Sequence, residues 1–123
     1  MSTDQIIRTG TTTRWSDTVA FNGLLFLCEV PNELTGDIVS QTSEVLDLLT
    51  QRLNSNASDP GRLLSATIYL PFKEDLAAFN PIWDGWLPAG SAPVRACIHG
   101  ALTNPLMRVE IQAIAAIRPT DFS

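Results

Sequence analysis

Apolar residues along the chain recur with two different periods. Residues 17–22 and 23–30 read as short strands joined at Asn22-Gly23, a pair suited to the positive φ angles of a type I′ hairpin turn. Pro31 ends the second run, because it cannot donate to a strand ladder. Over 37–54 the apolar positions Ile38, Val45, Leu46, Leu49 and Leu53 are spaced by 7, 1, 3 and 4, which puts them on one helix face. Thr35 or Asp37 can cap its start, and Asn54-Ser55-Asn56 offers a stop. A polar loop holding the turn sequence Asp59-Pro60-Gly61 leads to an aliphatic strand over 63–70, closed by Pro71. Leu76, Phe79, Trp83, Trp86 and Leu87, at intervals of 3, 4, 3 and 1, predict a second helix. Pro81 lies inside it: either the helix kinks there, or Asn80 caps a fresh helix with Pro81 at its first position. Residues 88–93 read as a loop, and 94–99 and 106–116 as the last two strands. The polar stretch 1–13 is expected to be loosely ordered or an edge strand.

The order β-β-α-β-α-β-β predicts a single α+β domain over 1–123, a two-layer mixed sheet with both helices on one face. Each end of the chain is expected to form a hairpin. The helix-free face is expected to carry Leu25, Leu27, Ile68 and Ile98 and therefore to need a cover, for which self-association is the simplest.

Composition narrows the classes of function. The 123 residues fit one domain, with 45% hydrophobic and only 17% charged residues. The net charge of −5 and eight scattered Lys and Arg argue against a dedicated nucleic-acid module. Cys28 and Cys97 lack Cys-x-x-Cys spacing, and with the lone His99 they form no obvious metal cluster, so none is expected. Residues 1–13 contain no apolar signal core, and the apolar run 24–28 is far too short to span a membrane. These features predict a reduced, cytoplasmic protein with no membrane partner.

Arg95 carries the candidate chemistry. A guanidinium in an apolar strand, beside Val94, Ala96 and Ile98, is costly unless paired. If the last two strands form a hairpin whose paired numbers sum to about 205, Arg95 lies beside Glu110. One reading is a cross-strand salt bridge that fixes register. The other is an arginine that grips a substrate carboxylate with its planar fork, beside a carboxylate that positions water.

Pro93-Val94-Arg95-Ala96-Cys97-Ile98, with Glu110 inside Val109-Glu110-Ile111-Gln112-Ala113-Ile114-Ala115, resembles the carboxy-terminal signature of the Rid (YjgF-type) family. The resemblance takes in the first hairpin with Pro31, Ala66-Thr67-Ile68-Tyr69-Leu70, and Phe79-Asn80 with Trp83, over roughly residues 14–117. Arg14-Trp15-Ser16-Asp17 and Trp83-Asp84-Gly85-Trp86 resemble a divergent bacterial branch. It implies a chorismate-mutase-like fold and a homotrimer with clefts between subunits. The implied activity is hydrolytic deamination of small enamines and imines, 2-imino acid plus water giving 2-oxo acid plus ammonia, without metal or organic cofactor. Arg95 is then the carboxylate anchor, Glu110 the water-positioning group, and Asn80 part of the pocket. Arg14 or Trp15 stands where family members carry a pocket Tyr, and Leu27 where they carry a hydroxyl. Cys28 falls at a pocket-wall position, and Cys97 contributes through its backbone or simply packs. His99 reads as a surface residue, and Trp83 and Trp86 as core or interface anchors. The competing readings are a non-catalytic carboxylate-binding or regulatory trimer and, ranked last on charge, an endoribonuclease or translation inhibitor.

Overall fold

The computed structural model describes residues 5–119. Eight principal elements follow one another: β1 (Ile7–Thr9), β2 (Thr18–Phe21), β3 (Leu24–Glu29), α1 (Ile38–Ser55), β4 (Leu63–Leu70), α2 (Leu76–Trp86), β5 (Val94–His99) and β6 (Glu110–Ala116). The six strands form one mixed sheet in the order β1-β2-β3-β6-β4-β5.

The first hairpin pairs Thr18 with Leu27 and Phe21 with Leu24. Its turn residues Asn22 and Gly23 have φ of 54° and 79°, the left-handed values a two-residue turn of this hand demands. Asp37, rather than Thr35, caps α1: its carboxylate accepts from the Ser40 amide at 2.9 Å, and that hydrogen bond holds its carboxyl below the usual range. α2 runs through Pro81 as one helix, so Asn80 is not a cap and its side chain is free for other work.

The expected second hairpin does not form. β5 pairs in parallel with β4, the strand that precedes it across α2, and β6 inserts antiparallel between β3 and β4. A helix between two strands favours a parallel crossover, and the ten residues of 100–109 carry the chain over to the far side of β4. β6 thereby takes a central place, where Ile111, Ala113 and Ala115 are buried. It also begins later than expected, at Glu110 rather than at 106.

Both helices pack on one face, over a single core built from Val45, Leu49, Leu53, Phe79 and Trp83 against Leu25, Leu27, Ile68, Ile111 and Ala113. This corrects the sheet face of three residues: Leu25, Leu27 and Ile68 lie under the helices, and only Ile98, 44% exposed, faces the open side. Trp83 is buried in this core, and the Trp86 indole N–H donates to Thr50 Oγ1 on α1 at 2.9 Å. Among the described residues no helix is long and apolar enough to cross a membrane.

Candidate functional site

Alternation along β3 and β6 sends Cys28 and Glu110 to the open face, because their neighbours Leu27 and Ile111 point into the core. Cys28 sits opposite Gln112, one diagonal step from Glu110, and its thiol donates to Glu110 Oε2 at 3.5 Å. Partial burial, and then the charge and hydrogen bond of Glu110, push the Cys28 thiol up to about 12. It is therefore a neutral donor at ordinary pH, not a nucleophile. Leu27, turned into the core, takes no part in this wall.

A cavity of about 770 Å³ opens over this pair. Trp15, Ser16 and Val30 form one side of it, and Thr103, Asn104, Pro105 and Met107 the other. Trp15 thus joins Cys28 and Glu110, whereas Arg14 is exposed and outside the cavity lining.

The loop that supplies Thr103 to Met107 is held from below. Gln41, a buried residue on the core face of α1, accepts from the Arg108 amide at 2.7 Å and donates to the Leu106 and Gly36 carbonyls, both at 3.1 Å. Arg108 clamps the buried Asp75 with two contacts of 2.9 Å and lies over the Phe72 ring. On the other flank Arg52 holds Glu29 at 3.0 Å and Asp17 at 3.6 Å, fastening the ends of β3 and β2 to α1. Burial raises the Glu29 carboxyl, against the pull of Arg52. Sequence reasoning missed the 103–107 wall and its anchors. A signal was available at Gln41, a polar side chain on the apolar face set by Ile38 and Val45.

Arg95 is elsewhere, and the sequence-based pairing with Glu110 fails. Arg95 is level with Ala66 on β4, and Ala66 is level with Ala113 on β6. Glu110 is therefore two strands away and three residues along, roughly 10 Å in each direction. Arg95 also points to the helix side, where its guanidinium lies 5.6 and 5.7 Å from the Phe79 and Trp83 ring centroids. Its Nη2 donates to Asn80 Oδ1 at 2.7 Å. Arg95 and Asn80 do come together, and Cys97 lies two residues further along β5 with an exposed side chain. Among the described residues no carboxylate pairs with Arg95. A cation held by a neutral amide and two π faces keeps its charge available for an anion. His99 is exposed at the end of β5. Among the described residues no group of three or more His, Cys, Asp and Glu could hold a metal ion.

Comparison with known proteins fits this architecture. The RutC family protein YoaB of Escherichia coli strain K12 is 40% identical over 112 residues, spanning 91% of this chain and 98% of that protein. A RutC family protein of Haemophilus ducreyi is 36% identical over 113 residues, spanning 91% and 97%. The crystal structure of NMB1025 from Neisseria meningitidis, a member of the YjgF protein family, superimposes with a TM-score of 0.92 at 39% identity, covering 97% of this chain and 100% of that one. The family model described as Endoribonuclease L-PSP matches residues 6–117. With that match, those relatives and the chorismate-mutase-like α+β fold, the chain belongs to the YjgF-type (Rid, RutC) family.

Proposed function

We propose that the protein hydrolyses small reactive 2-imino acids to 2-oxo acids and ammonia, as a homotrimer whose sites form between neighbouring copies. The observation that carries this reading is the division of the chemistry within one chain. Among the described residues, a carboxylate without a cation lines a cavity on the open face, and a cation without a carboxylate stands at the sheet edge on the other face. No side-chain rotation unites them, but a neighbour's β5 edge brought to the cavity does. β5 is unpaired on its outer side, and Val94 and Ile98 beside it are 77% and 44% exposed, as for a strand that another copy covers. A head-to-tail contact of this kind closes into a ring when its rotation brings the third copy back to the first.

In the assembled site Arg95 and Asn80 of one copy take the substrate carboxylate. Glu110 of the next copy accepts a hydrogen bond from water and aims it at the imine carbon. Water adds to the C=N carbon, the nitrogen gains protons and leaves as ammonia, and the carbonyl of the 2-oxo acid forms. The Cys28 thiol, held neutral, donates to Glu110 and fixes its orientation without competing as a nucleophile. The net charge of −5 and a cavity whose charged group is a carboxylate make a polyanionic RNA substrate the poorer fit.

Mixing two single variants tests the division directly. Arg95→Ala and Glu110→Gln are each expected to lose ammonia release from imines generated in situ. After denaturation and refolding together, random rings should recover about a quarter of wild-type activity, since each contact needs one intact half from each copy. No recovery in well-folded mixed rings would place both halves in one chain and overturn the proposal. A wild-type protein that binds 2-oxo acids without turning over imines would leave a carboxylate-binding trimer.

A further inference from the structure

We infer, resting on the deaminase reading above, that the site takes 2-imino acids with a large apolar or aromatic side chain, and that Trp15 is the residue selecting them. The cavity measures about 770 Å³ in the single chain, and a neighbour's β5 edge takes a share of it, so the character of the walls selects the ligand. Trp15, Val30, Pro105 and Met107 give the lining its apolar part, beside Ser16, Thr103 and Asn104, and none of the lining residues is a cation. The substrate carboxylate therefore goes to Arg95 of the neighbouring copy, and what remains facing these walls is the side chain.

Trp15 is 61% exposed, yet it is not loosely attached. The Thr12 amide donates to the Trp15 carbonyl at 2.7 Å, and the Trp15 amide donates to Thr12 Oγ1 at 3.2 Å. Thr11 and Ser16 hydroxyls meet at 2.8 Å, and the Asp17 amide donates to the Thr9 carbonyl at 2.9 Å. Gly10, at φ +60°, lets the Asp17 carboxylate sit where a Cβ would stand. A hydrogen-bonded turn keeps the Trp15 backbone at the cavity mouth, so less freedom is lost there on binding. The indole face offers offset stacking to an aromatic substrate and a broad apolar surface to an aliphatic one.

The test compares imines made in situ by an amino-acid oxidase from alanine, leucine and phenylalanine, scored by the loss of adduct with a trapping amine. In parallel, pyruvate and phenylpyruvate are titrated calorimetrically. Each methylene buried against these walls is worth about fourfold, so the wild type should favour the phenylalanine-derived imine over the alanine-derived one by roughly tenfold or more in kcat/KM. Trp15→Ala should collapse that ratio about tenfold, and Trp15→Phe should restore most of it. Turnover without side-chain preference, or the same preference in Trp15→Ala, overturns the inference and leaves the deaminase reading intact. Absence of turnover with any imine, but Trp15-dependent preference for phenylpyruvate over pyruvate in binding, overturns the deaminase reading and upholds the apolar site. Absence of both overturns both.

Discussion

The open-face cavity and the β5 edge solve the same problem, holding one charge in an apolar protein, in opposite ways. Around Glu110 the chain builds a walled cavity: a loop pinned by Gln41 and the Arg108–Asp75 clamp, Trp15 on a hydrogen-bonded turn, and a neutral thiol at hydrogen-bond distance. Around Arg95 it builds a mount, with Asn80 and the Phe79 and Trp83 rings beneath the guanidinium and no wall in front. Enclosure suits a group that must exclude stray water and orient one molecule of it. A mount on an exposed edge suits a group that reaches into something else. On the reading proposed above, the two halves work only together.

Loss of the cavity's charge should have the largest effect. Glu110→Gln keeps the shape but loses the charge, and imine turnover should fall ~10²–10⁴-fold while 2-oxo acid binding through Arg95 persists. Ammonia release and calorimetry on the same preparation read both, and a fully active Gln variant would make Glu110 structural. At the edge, Arg95→Ala should cost ~2–5 kcal/mol in 2-oxo acid affinity, the range for truncating one partner of a close charge pair. Unchanged binding in that variant would remove Arg95 as the anchor.

A smaller effect distinguishes the two surroundings through Cys28. Relative to an ordinary thiol, a rise to about 12 lowers the thiolate fraction near neutral pH about a thousandfold, partly offset by higher intrinsic nucleophilicity. In a Cys97→Ser background, alkylation of Cys28 should run roughly fiftyfold slower than that of a small free thiol. It should keep accelerating past pH 10, where an ordinary thiol has levelled off. The sign for stability follows: the folded value is raised, so the contribution is fully present below the usual thiol range, about 9, and is lost as pH rises through about 12. A labelling rate that plateaus near pH 9 would mean that neither the burial of Cys28 nor its Glu110 contact is maintained. Gln41→Leu is the mildest intervention. Leaving the Arg108 amide and the Leu106 carbonyl without partners should cost ~1–3 kcal/mol in urea unfolding. It should also weaken ligand binding, since the freed segment carries Met107 in the cavity wall.

Local order was legible from the sequence because it depends on near neighbours. The i, i+3, i+4 spacing and Asp37 defined α1, and Asn22-Gly23 defined the first hairpin. Aliphatic runs closed by Pro71 and opened by Pro93 bounded β4 and β5 at the residues observed. The Arg95 and Glu110 signature was enough to point to the family. Strand partnership was not legible, because an alternating strand satisfies its own pattern beside any neighbour of matching register. Only the tertiary structure decided that β6 lies between β3 and β4, which separates Glu110 from Arg95 and turns them to opposite faces. It also decided that Leu25, Leu27 and Ile68 belong under the helices, since alternation gives two faces without saying which is covered. The cavity wall from Thr103 to Met107 has no periodicity to read. Its place depends on hydrogen bonds to Gln41, 65 and 67 residues distant in the chain, and such contacts exist only once the core has closed.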